Sequence, residues 1–219
     1  MDTDAEQLVL ERLIDGAKPA LPPGPDFTGL HYLLYSPFRY PPLPHGSRFG
    51  GRHEQGLWYA SEELRTSLAE AAYYRILFFE GSAARLAPHS LPMSAFQARV
   101  RTRLAIDVSE GPFRPHLGRI CSPTDYATSQ ALGAEMRAGG VEVVRFPSAR
   151  DPERGMNVGL FTPAAFGARR PLRAPETWHC TLTAAHDVEF RHEGVACVAT
   201  VEFPRRTFLV KGAFPAPAA

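Results

Sequence analysis

Proline is the residue that most constrains how this chain can fold. The 219 residues include 21 prolines, about twice the average share, and many of them fall in the segments 19–25, 37–44 and 203–217. Proline fixes φ and has no backbone N–H, so it interrupts both helices and sheet ladders. The sequence therefore predicts extended loops in these three segments, with short regular elements between them.

Helical spacing of apolar residues occurs in three parts of the chain. Residues 5–17 carry one apolar stripe, which predicts a short amphipathic helix. Ser61 is a candidate N-cap for a second helix that runs to about Phe78, with acidic residues in its first turn. Ser122 precedes a proline that suits the first helical position, so we expect a third helix there, which two glycines end at 139–140.

Strands are expected from short runs of β-branched, aromatic and alternating residues. The sequence predicts single strands at 29–35, 57–59, 96–106, 141–146 and 157–161, and three or four antiparallel strands over about 177–211. Separated strands combined with two main helices are typical of an α+β fold. We therefore expect one domain over 1–219, with a mixed, mainly antiparallel sheet core, flanking helices and a flexible tail at 213–219.

The segment 96–106 alternates apolar residues with Arg99, Arg101 and Arg103. This pattern indicates a half-buried strand with a solvated basic face, and the alternative is a patch for phosphate or nucleic acid. The chain has 24 basic and 23 acidic residues and a net charge of +1, whereas nucleic-acid-binding proteins usually carry a clear basic excess. We therefore expect no direct binding of nucleic acid.

The cysteines and the N-terminus bear on where the protein works. Cys121, Cys180 and Cys197 are odd in number and lack the spacing of a zinc site, and the scattered histidines lack ligand spacing too. No apolar run approaches the about 20 residues needed to cross a bilayer, and the acidic N-terminus does not resemble a signal peptide. These features predict a cytoplasmic protein with reduced thiols, no bound metal and no membrane association.

Four segments carry polar residues that a purely structural role does not require. They are SPFRY (36–40), GSRFGGR (46–52), LWYASEELRTSLAE (57–70) and RFPSARDPERGMNVGLF (145–161). Each also has an ordinary structural interpretation, since a glycine-rich turn beside arginine is usually a hairpin and a serine after proline is usually a turn residue. The order in which the four segments follow one another is more informative than any one of them.

This ordered set, which lies within residues 29–166, resembles the RES domain, a family named for an arginine, a glutamate and a serine. Its members, ParT-like proteins among them, are toxins of bacterial toxin–antitoxin pairs. The resemblance implies a fold similar to that of diphtheria-type ADP-ribosyltransferases, with a cleft that holds NAD. NAD is then the substrate, and no separate cofactor is expected.

The resemblance also assigns residues. The family arginine falls on Arg39, the tyrosine on Tyr59, the glutamate on Glu70 and the serine on Ser148. Arg48 lies close to Arg39 in the sequence and can share or take its role. The resemblance therefore predicts a site built from these side chains and leaves the identity of the arginine open.

The residue types suit cleavage of NAD. Loss of nicotinamide leaves a positive, oxocarbenium-like sugar, which the carboxylate of Glu70 can stabilise. A guanidinium suits the pyrophosphate of NAD. Arg39 is the first candidate for this contact, and Arg48 and Arg150 are held in reserve.

Tyrosine and serine complete the expected site. A tyrosine can stack on nicotinamide and still hydrogen-bond the ribose, which suits Tyr59 and Tyr40. Ser148 is expected to hydrogen-bond the nicotinamide ribose or a phosphate. It is not expected to act as a nucleophile, because no His–Asp arrangement accompanies it in the sequence.

The favoured function is cleavage of the N-glycosidic bond of NAD by water or by phosphate, which depletes NAD and arrests growth. The alternatives are transfer of ADP-ribose to a specific protein and catalytically silent binding of NAD. The resemblance further implies a partner, an antitoxin with a DNA-binding part that blocks the NAD site. The proline-rich loop at 37–46 is the contact that we expect for this partner.

Overall fold

One long helix, three shorter helices and eight strands, joined by loops, make up the part of the chain that the structure describes. The computed structural model describes residues 16, 18–40, 42–82, 90–194 and 198–216. The helices are α1 (Tyr32–Arg39), α2 (Leu64–Gly81), α3 (Leu117–Ile120) and α4 (Ala127–Ala138). The strands are β1 (Trp58–Ser61), β2 (Ser90–Ala95), β3 (Ala105–Asp107), β4 (Val143–Pro147), β5 (Met156–Leu160), β6 (Glu176–Leu182), β7 (Val188–Glu193) and β8 (Val198–Phe203). Short 3₁₀ helices occupy Pro25–Phe27, Gly111–His116, Pro163–Ala165 and Arg205–Phe208. Within these ranges, no helix has the length and apolar character that crossing a membrane requires.

One four-stranded sheet, in the order β1-β5-β4-β3, carries polar side chains on one face. The strands β1, β5 and β4 pair antiparallel, and β3 pairs parallel to β4. Ser61 lies opposite Asn157 in this register, and Asn157 lies opposite Phe146. Paired residues point to the same side of a sheet, as do residues two apart along a strand. Tyr59, Ser61, Phe146 and Asn157 therefore share one face.

The other four-stranded sheet, in the order β2-β6-β7-β8, is antiparallel throughout. Helix α2 packs on it through Leu68, Ala72, Tyr73 and Ile76, which are at most 6% exposed. The same helix contacts β1 and β5 of the first sheet. Helix α2 therefore joins the two sheets, and it reaches the polar face of the first sheet through Glu70, which contacts Asn157.

Residues 29–35 do not form the expected strand, because this part of the chain enters the helix α1. Leu34 and Phe38 lie one helical turn apart and are buried against the first sheet. His31 caps the helix by accepting the backbone N–H of Leu33. The prediction of a strand gave weight to the aromatic and aliphatic composition of the segment and missed this helical spacing.

Pro37 shows how α1 is fastened to the first sheet. Proline has no N–H, so Pro37 cannot donate to the carbonyl of Leu33 one turn earlier. That carbonyl instead accepts the indole N–H of Trp58, with 3.2 Å between Leu33 O and Trp58 Nε1. Trp58 of β1 thus replaces the hydrogen bond that proline removes from the helix, and the partly buried carbonyl of Leu33 keeps a partner.

Most of the other regular elements lie where the sequence predicts them. The α+β fold with mainly antiparallel strands is confirmed. The predicted strands at 57–59, 141–146 and 157–161 correspond to β1, β4 and β5. Three of the expected C-terminal strands are β6, β7 and β8. The edge strand β2 was not predicted, because its exposed residues lack a clear apolar alternation.

The helix boundaries differ from the expected ones by a few residues. Ser61 belongs to β1, and α2 begins only at Leu64. Ser122 accepts the backbone N–H groups of Thr124 and Asp125, so it caps a turn, and α4 starts after that turn at Ala127. The expected end of α4 at the glycine pair is confirmed.

Two further predicted strands are wrong. Of the segment 96–106, only the last two residues belong to a strand of the sheet, β3. The preceding residues run beside 165–172 and exchange single backbone hydrogen bonds with it. Their arginines are nevertheless exposed, as expected. The expected last strand near 207–212 is a 3₁₀ helix followed by a turn that Val210 and Ala213 close.

Several predictions concern the ends of the chain. The predicted helix at 5–17 lies outside the described residues, apart from Gly16. Residues 217–219 of the predicted tail also lie outside them. The preceding residues pack on α2, since Phe214 stacks on Tyr73 with 5.3 Å between the ring centres. The single domain and the resemblance to diphtheria-type ADP-ribosyltransferases stay predictions.

Gly133 lets α4 lie directly on the backbone of the turn at 46–50. A Cβ at this position would lie 2.1 Å from the carbonyl oxygen of Phe49. We expect Gly133→Ala to push α4 away and to lower the free energy of unfolding by about 1–3 kcal/mol. Denaturant unfolding measures this change.

The matched control is Gly118→Ala in α3, where a Cβ meets nothing within 4 Å. Alanine is more favourable than glycine inside a helix by roughly 0.5–1 kcal/mol, so this variant should be slightly more stable. Equal effects of the two substitutions would contradict the close approach of α4 to the turn.

Candidate active site

A cleft of about 380 Å³ opens between α2 and the polar face of the first sheet. Its size suits a small-molecule site, and its wall combines aromatic rings with a few polar groups. The lining comprises Tyr59, Ala60, Ser61, Phe146 and Asn157 from the first sheet, Ser67, Glu70, Ala71 and Tyr74 from α2, Ser47 and Arg48 from the turn before β1, and Tyr126 just before α4.

Glu70 is the carboxylate of this cleft, and the two hydrogen bonds that it accepts from described side chains reach the same oxygen. Ser148 Oγ lies 2.7 Å from Glu70 Oε1, and Asn157 Nδ2 lies 2.7 Å from the same atom. No donor among the described residues contacts Oε2. The carboxylate is therefore held through one oxygen, and its second oxygen is left for a ligand.

Ser148 holds Glu70 from inside the protein. The side chain of Ser148 is fully buried and does not line the cleft. Its Oγ accepts the backbone N–H groups of Arg150 and Asp151, at 3.1 and 2.9 Å, which occupy both lone pairs of the hydroxyl. The hydroxyl proton is thereby directed to Glu70. The structure places Ser148 behind the carboxylate, whereas the sequence led us to expect a contact with ribose or phosphate.

The turn that carries Ser148 is fastened to the start of α2 by Asp151. The carboxylate of Asp151 accepts hydrogen bonds from Arg65 and Thr66, each at 2.8 Å, and the Asp151 side chain is only 2% exposed. Glu70 lies one turn beyond Thr66 on the same helix. The contact of Asp151 with α2 therefore sets the spacing between the Ser148 hydroxyl and the Glu70 carboxylate.

Arg48 is the cation that lines the cleft, and it is 8% exposed. Its Nη1 donates to the carbonyls of Ile120 and Ser122, at 3.3 and 2.9 Å. Its guanidinium lies 4.7 Å from the centre of the Tyr126 ring. In the described ranges, no acceptor contacts Nε or Nη2 and no carboxylate pairs with Arg48. The charge is therefore fixed in place with donors left for an anion.

Arg150 is a second cation beside the cleft, but it is buried. It is 4% exposed, and its guanidinium lies 3.5 Å from the centre of the Tyr73 ring. Its Nη2 donates to the hydroxyl of Tyr126 at 3.3 Å, so Tyr126 contacts both Arg48 and Arg150. Burial raises the pKa of Tyr73 to about 12, which keeps this phenol neutral.

Tyr59 is fixed by its hydroxyl. That oxygen accepts the backbone N–H of Phe49 at 3.0 Å and lies 3.0 Å from Ser47 Oγ. Because a backbone N–H can only donate, the phenolic proton is available to Ser47. Burial raises the pKa of Tyr59 to about 12, so the residue stays neutral at physiological pH. Its ring meets Phe146 edge-on.

Tyr74 and Tyr126 add two more rings to the cleft lining. Burial and the hydrogen bond to Tyr126 both raise the pKa of Tyr74. Tyr74 lies one turn beyond Glu70 on α2 and remains 41% exposed. The cleft therefore offers the ring of Tyr74 one turn beyond Glu70 on α2, and the ring of Tyr126 from the segment before α4.

Arg39 and Tyr40 lie elsewhere. Arg39 ends α1, and its Nε donates to the carbonyl of Pro19. Tyr40 follows it and is 43% exposed. Neither residue is in the cleft lining. Of the two arginines that the sequence left open, the structure thus brings Arg48, and not Arg39, to Glu70 and Tyr59.

Asn157, Tyr74 and Tyr126 belong to the cleft but were not predicted from the sequence. The side-chain partners of Asn157, Ser61 and Glu70, lie 96 and 87 residues earlier in the sequence, and its role depends on the register of β5. A polar residue in an otherwise buried strand was the available signal. No group of three or more His, Cys, Asp and Glu side chains within the described ranges is arranged to hold a metal ion.

Comparison with known families gives the same assignment as the motifs. The profile of the RES domain matches residues 25–183, most of the chain, and this range contains the whole cleft lining. A comparison with curated proteins returns no match. The chain belongs to the RES-domain family, whose known context is the toxin of a toxin–antitoxin pair.

Proposed function

We propose that this chain cleaves the bond between nicotinamide and ribose in NAD. The observation that carries the proposal is the carboxylate of Glu70, which two hydrogen bonds fix through Oε1 while Oε2 has no donor in the described structure. Membership of the RES-domain family supports it, because this family is associated with enzymes that act on NAD. The resulting loss of NAD would arrest growth.

The reaction needs one negative group beside the reacting sugar. As the bond breaks, its electron pair leaves with nicotinamide, whose ring nitrogen becomes neutral, and C1′ of the ribose gains positive charge. A fixed carboxylate oxygen near C1′ stabilises this charge most strongly where water is largely excluded. Nicotinamide needs no proton to leave, so Glu70 alone supplies the charge for this step. The acceptor then forms a bond to C1′, and water as the acceptor gives up one proton to solvent.

The aromatic residues suit the leaving group. Tyr59, Tyr74, Tyr126 and Phe146 line the same cleft as Glu70. Their faces and edges can contact the flat nicotinamide ring, and the hydroxyls of Tyr59 and Tyr74 stay neutral because burial raises the pKa of each. The Glu70 carboxylate beside these rings favours the cationic nicotinamide ring of the substrate over the neutral product, which helps the product to leave.

Arg48 suits the pyrophosphate of NAD. Its guanidinium keeps Nε and Nη2 without an acceptor in the described structure, and a planar guanidinium can bind phosphate oxygens with two parallel hydrogen bonds. Arg150 adds positive charge behind Tyr126 without reaching the lining. We therefore assign the pyrophosphate to Arg48 and give Arg150 a supporting electrostatic role.

We further propose that a protein antitoxin covers this cleft when the pair is intact. Tyr40 and Leu43, in the segment after α1, are 43% and 55% exposed, and Tyr74 is 41% exposed at the cleft. Exposed apolar surface is what a partner protein covers, so these three side chains are the proposed contacts. A chain seated there would separate NAD from Glu70.

Glu70→Gln tests the proposed chemistry. This change removes the negative charge with little change of shape, so we expect kcat for nicotinamide release to fall by roughly 10²–10³-fold. Chromatography of NAD, nicotinamide and ADP-ribose products, in water alone and with added phosphate, measures the loss and names the acceptor. Glu135→Gln, an exposed glutamate on α4, is the matched control and should keep the parent rate.

Two outcomes would count against NAD cleavage by Glu70. One is a Glu70→Gln variant that is as active as the parent. The other is a parent that consumes NAD only when a second protein is present and becomes labelled, which would favour transfer of ADP-ribose.

Arg48→Lys and Arg39→Lys separate the two arginines. Lysine keeps the charge but loses the planar pair of donors, so Arg48→Lys should raise KM for NAD by roughly 10–100-fold. Arg39→Lys should leave KM unchanged, because Arg39 does not line the cleft. Initial rates over a range of NAD concentrations measure both. A higher KM in Arg39→Lys, with KM unchanged in Arg48→Lys, would indicate that Arg39 binds the pyrophosphate.

A further inference from the structure

The side chain of Asn157 makes two hydrogen bonds, one with Ser61 and one with Glu70. It is 4% exposed, and it is the one asparagine in the 219 residues. Its Nδ2 donates to Glu70 Oε1 at 2.7 Å, and its Oδ1 accepts the hydroxyl of Ser61 at 2.6 Å. One amide thus joins the end of β1 to the carboxylate on α2.

The chemistry of the three groups fixes the orientation of the Asn157 amide. An ionised carboxylate accepts hydrogen bonds but cannot donate them, so the nitrogen of the amide must face Glu70. The oxygen of the amide then points to Ser61, whose hydroxyl can donate to it. Reversal of the amide would place two oxygens against each other at Glu70. Ser61 and Glu70 therefore favour the same orientation of Asn157.

The sheet register makes this arrangement rigid. Ser61 and Asn157 are directly opposite each other in the pairing of β1 with β5. Asn157 is also directly opposite Phe146 of β4, so a strand confines it on each side. Side chains held on paired strands keep their positions better than side chains on loops. The donor to Glu70 is therefore placed by the backbone of the sheet.

We propose that Asn157, oriented by Ser61, is a positioning residue for Glu70. Together with Ser148 it holds Oε1 from a second direction, so that Oε2 is presented to C1′ of the nicotinamide ribose. The proposal rests on NAD cleavage for its functional part, while the contact itself can be tested without any activity. Two donors on one oxygen also prevent rotation of the carboxylate, which would exchange Oε1 and Oε2.

The first test is spectroscopic. Because Asn157 is the one asparagine, the full chain labelled with [¹⁵N]asparagine gives one side-chain NH₂ signal pair. We expect one proton of the pair to lie downfield and to exchange slowly with water. Glu70→Ala and Ser61→Ala should each move it toward the position of a solvated amide. Ser36→Ala, an exposed hydroxyl on α1 that donates to Tyr32 O, should not.

The spectroscopic result shows whether or not the Asn157 amide is hydrogen-bonded to Glu70. The proposal would be overturned if the NH₂ protons exchange rapidly in the parent, or if their chemical shifts are unchanged in Glu70→Ala. This readout does not depend on catalysis, so it stands even for a parent chain that leaves NAD intact. Such a parent would refute the proposed function and not the hydrogen bond.

The second test measures the rate of a single turnover with the enzyme in excess. This rate does not depend on the fraction of the chain that is folded. We expect Asn157→Ala to slow the chemical step by roughly 100-fold, since a small displacement of a catalytic group has an effect of that size. The affinity for NAD should stay unchanged. Ser61→Ala should slow the step, and Ser61→Thr, which keeps the hydroxyl, should restore it.

If Asn157→Ala does not fold, the two variants at position 61, Ser61→Ala and Ser61→Thr, still test the proposal. Single-turnover rates of Ser61→Ala equal to those of the parent would overturn the orienting role of Ser61. Equal rates for a folded Asn157→Ala would overturn the positioning role of Asn157. An equal loss of rate in Ser61→Ala and Ser61→Thr would indicate a packing defect and also count against the proposal.

Discussion

The fixed carboxylate of Glu70 is the interaction on which the rest of this site depends. Two donors of different origin meet at Oε1, one from the buried hydroxyl of Ser148 and one from the amide of Asn157. A charge in a cleft is most effective when its direction is set before the substrate arrives. Helix α2 supplies Glu70, strand β5 of the first sheet supplies Asn157, and the turn after β4 supplies Ser148. The geometry needs all three.

The packing of α2 explains how this helix holds Glu70 in a fixed position. Its apolar face is buried on the second sheet through residues such as Leu68 and Ile76, and each fully buried side chain of this size contributes about 1.5–3 kcal/mol. Its first turn is held by Asp151 through Arg65 and Thr66. The helix is therefore fixed along its length, which leaves Glu70 little freedom to move relative to the first sheet.

The sequence predicts those parts of the molecule that depend on local patterns, and it fails where distant segments decide. The strands β4 and β5 and the end of α4 follow from alternation and glycine, and the resemblance to the RES domain gives Glu70 and Tyr59. Helix α1 was missed because the aromatic and aliphatic composition of its first half favoured a strand. The Leu33 carbonyl that its proline leaves without a helical donor is satisfied by Trp58, a partner in another element. The choice between Arg39 and Arg48, and the role of Asn157, depend on tertiary contacts that no spacing in the sequence reveals.

The most direct test of the account is a structure of the Glu70→Gln variant with NAD bound. We predict that the nicotinamide ring lies among the aromatic residues of the cleft, that the pyrophosphate contacts Arg48, and that C1′ of the adjacent ribose lies within about 3.5 Å of the side chain at position 70, the distance of reacting groups. NAD bound outside the cleft, or with C1′ turned away from position 70, would contradict the account.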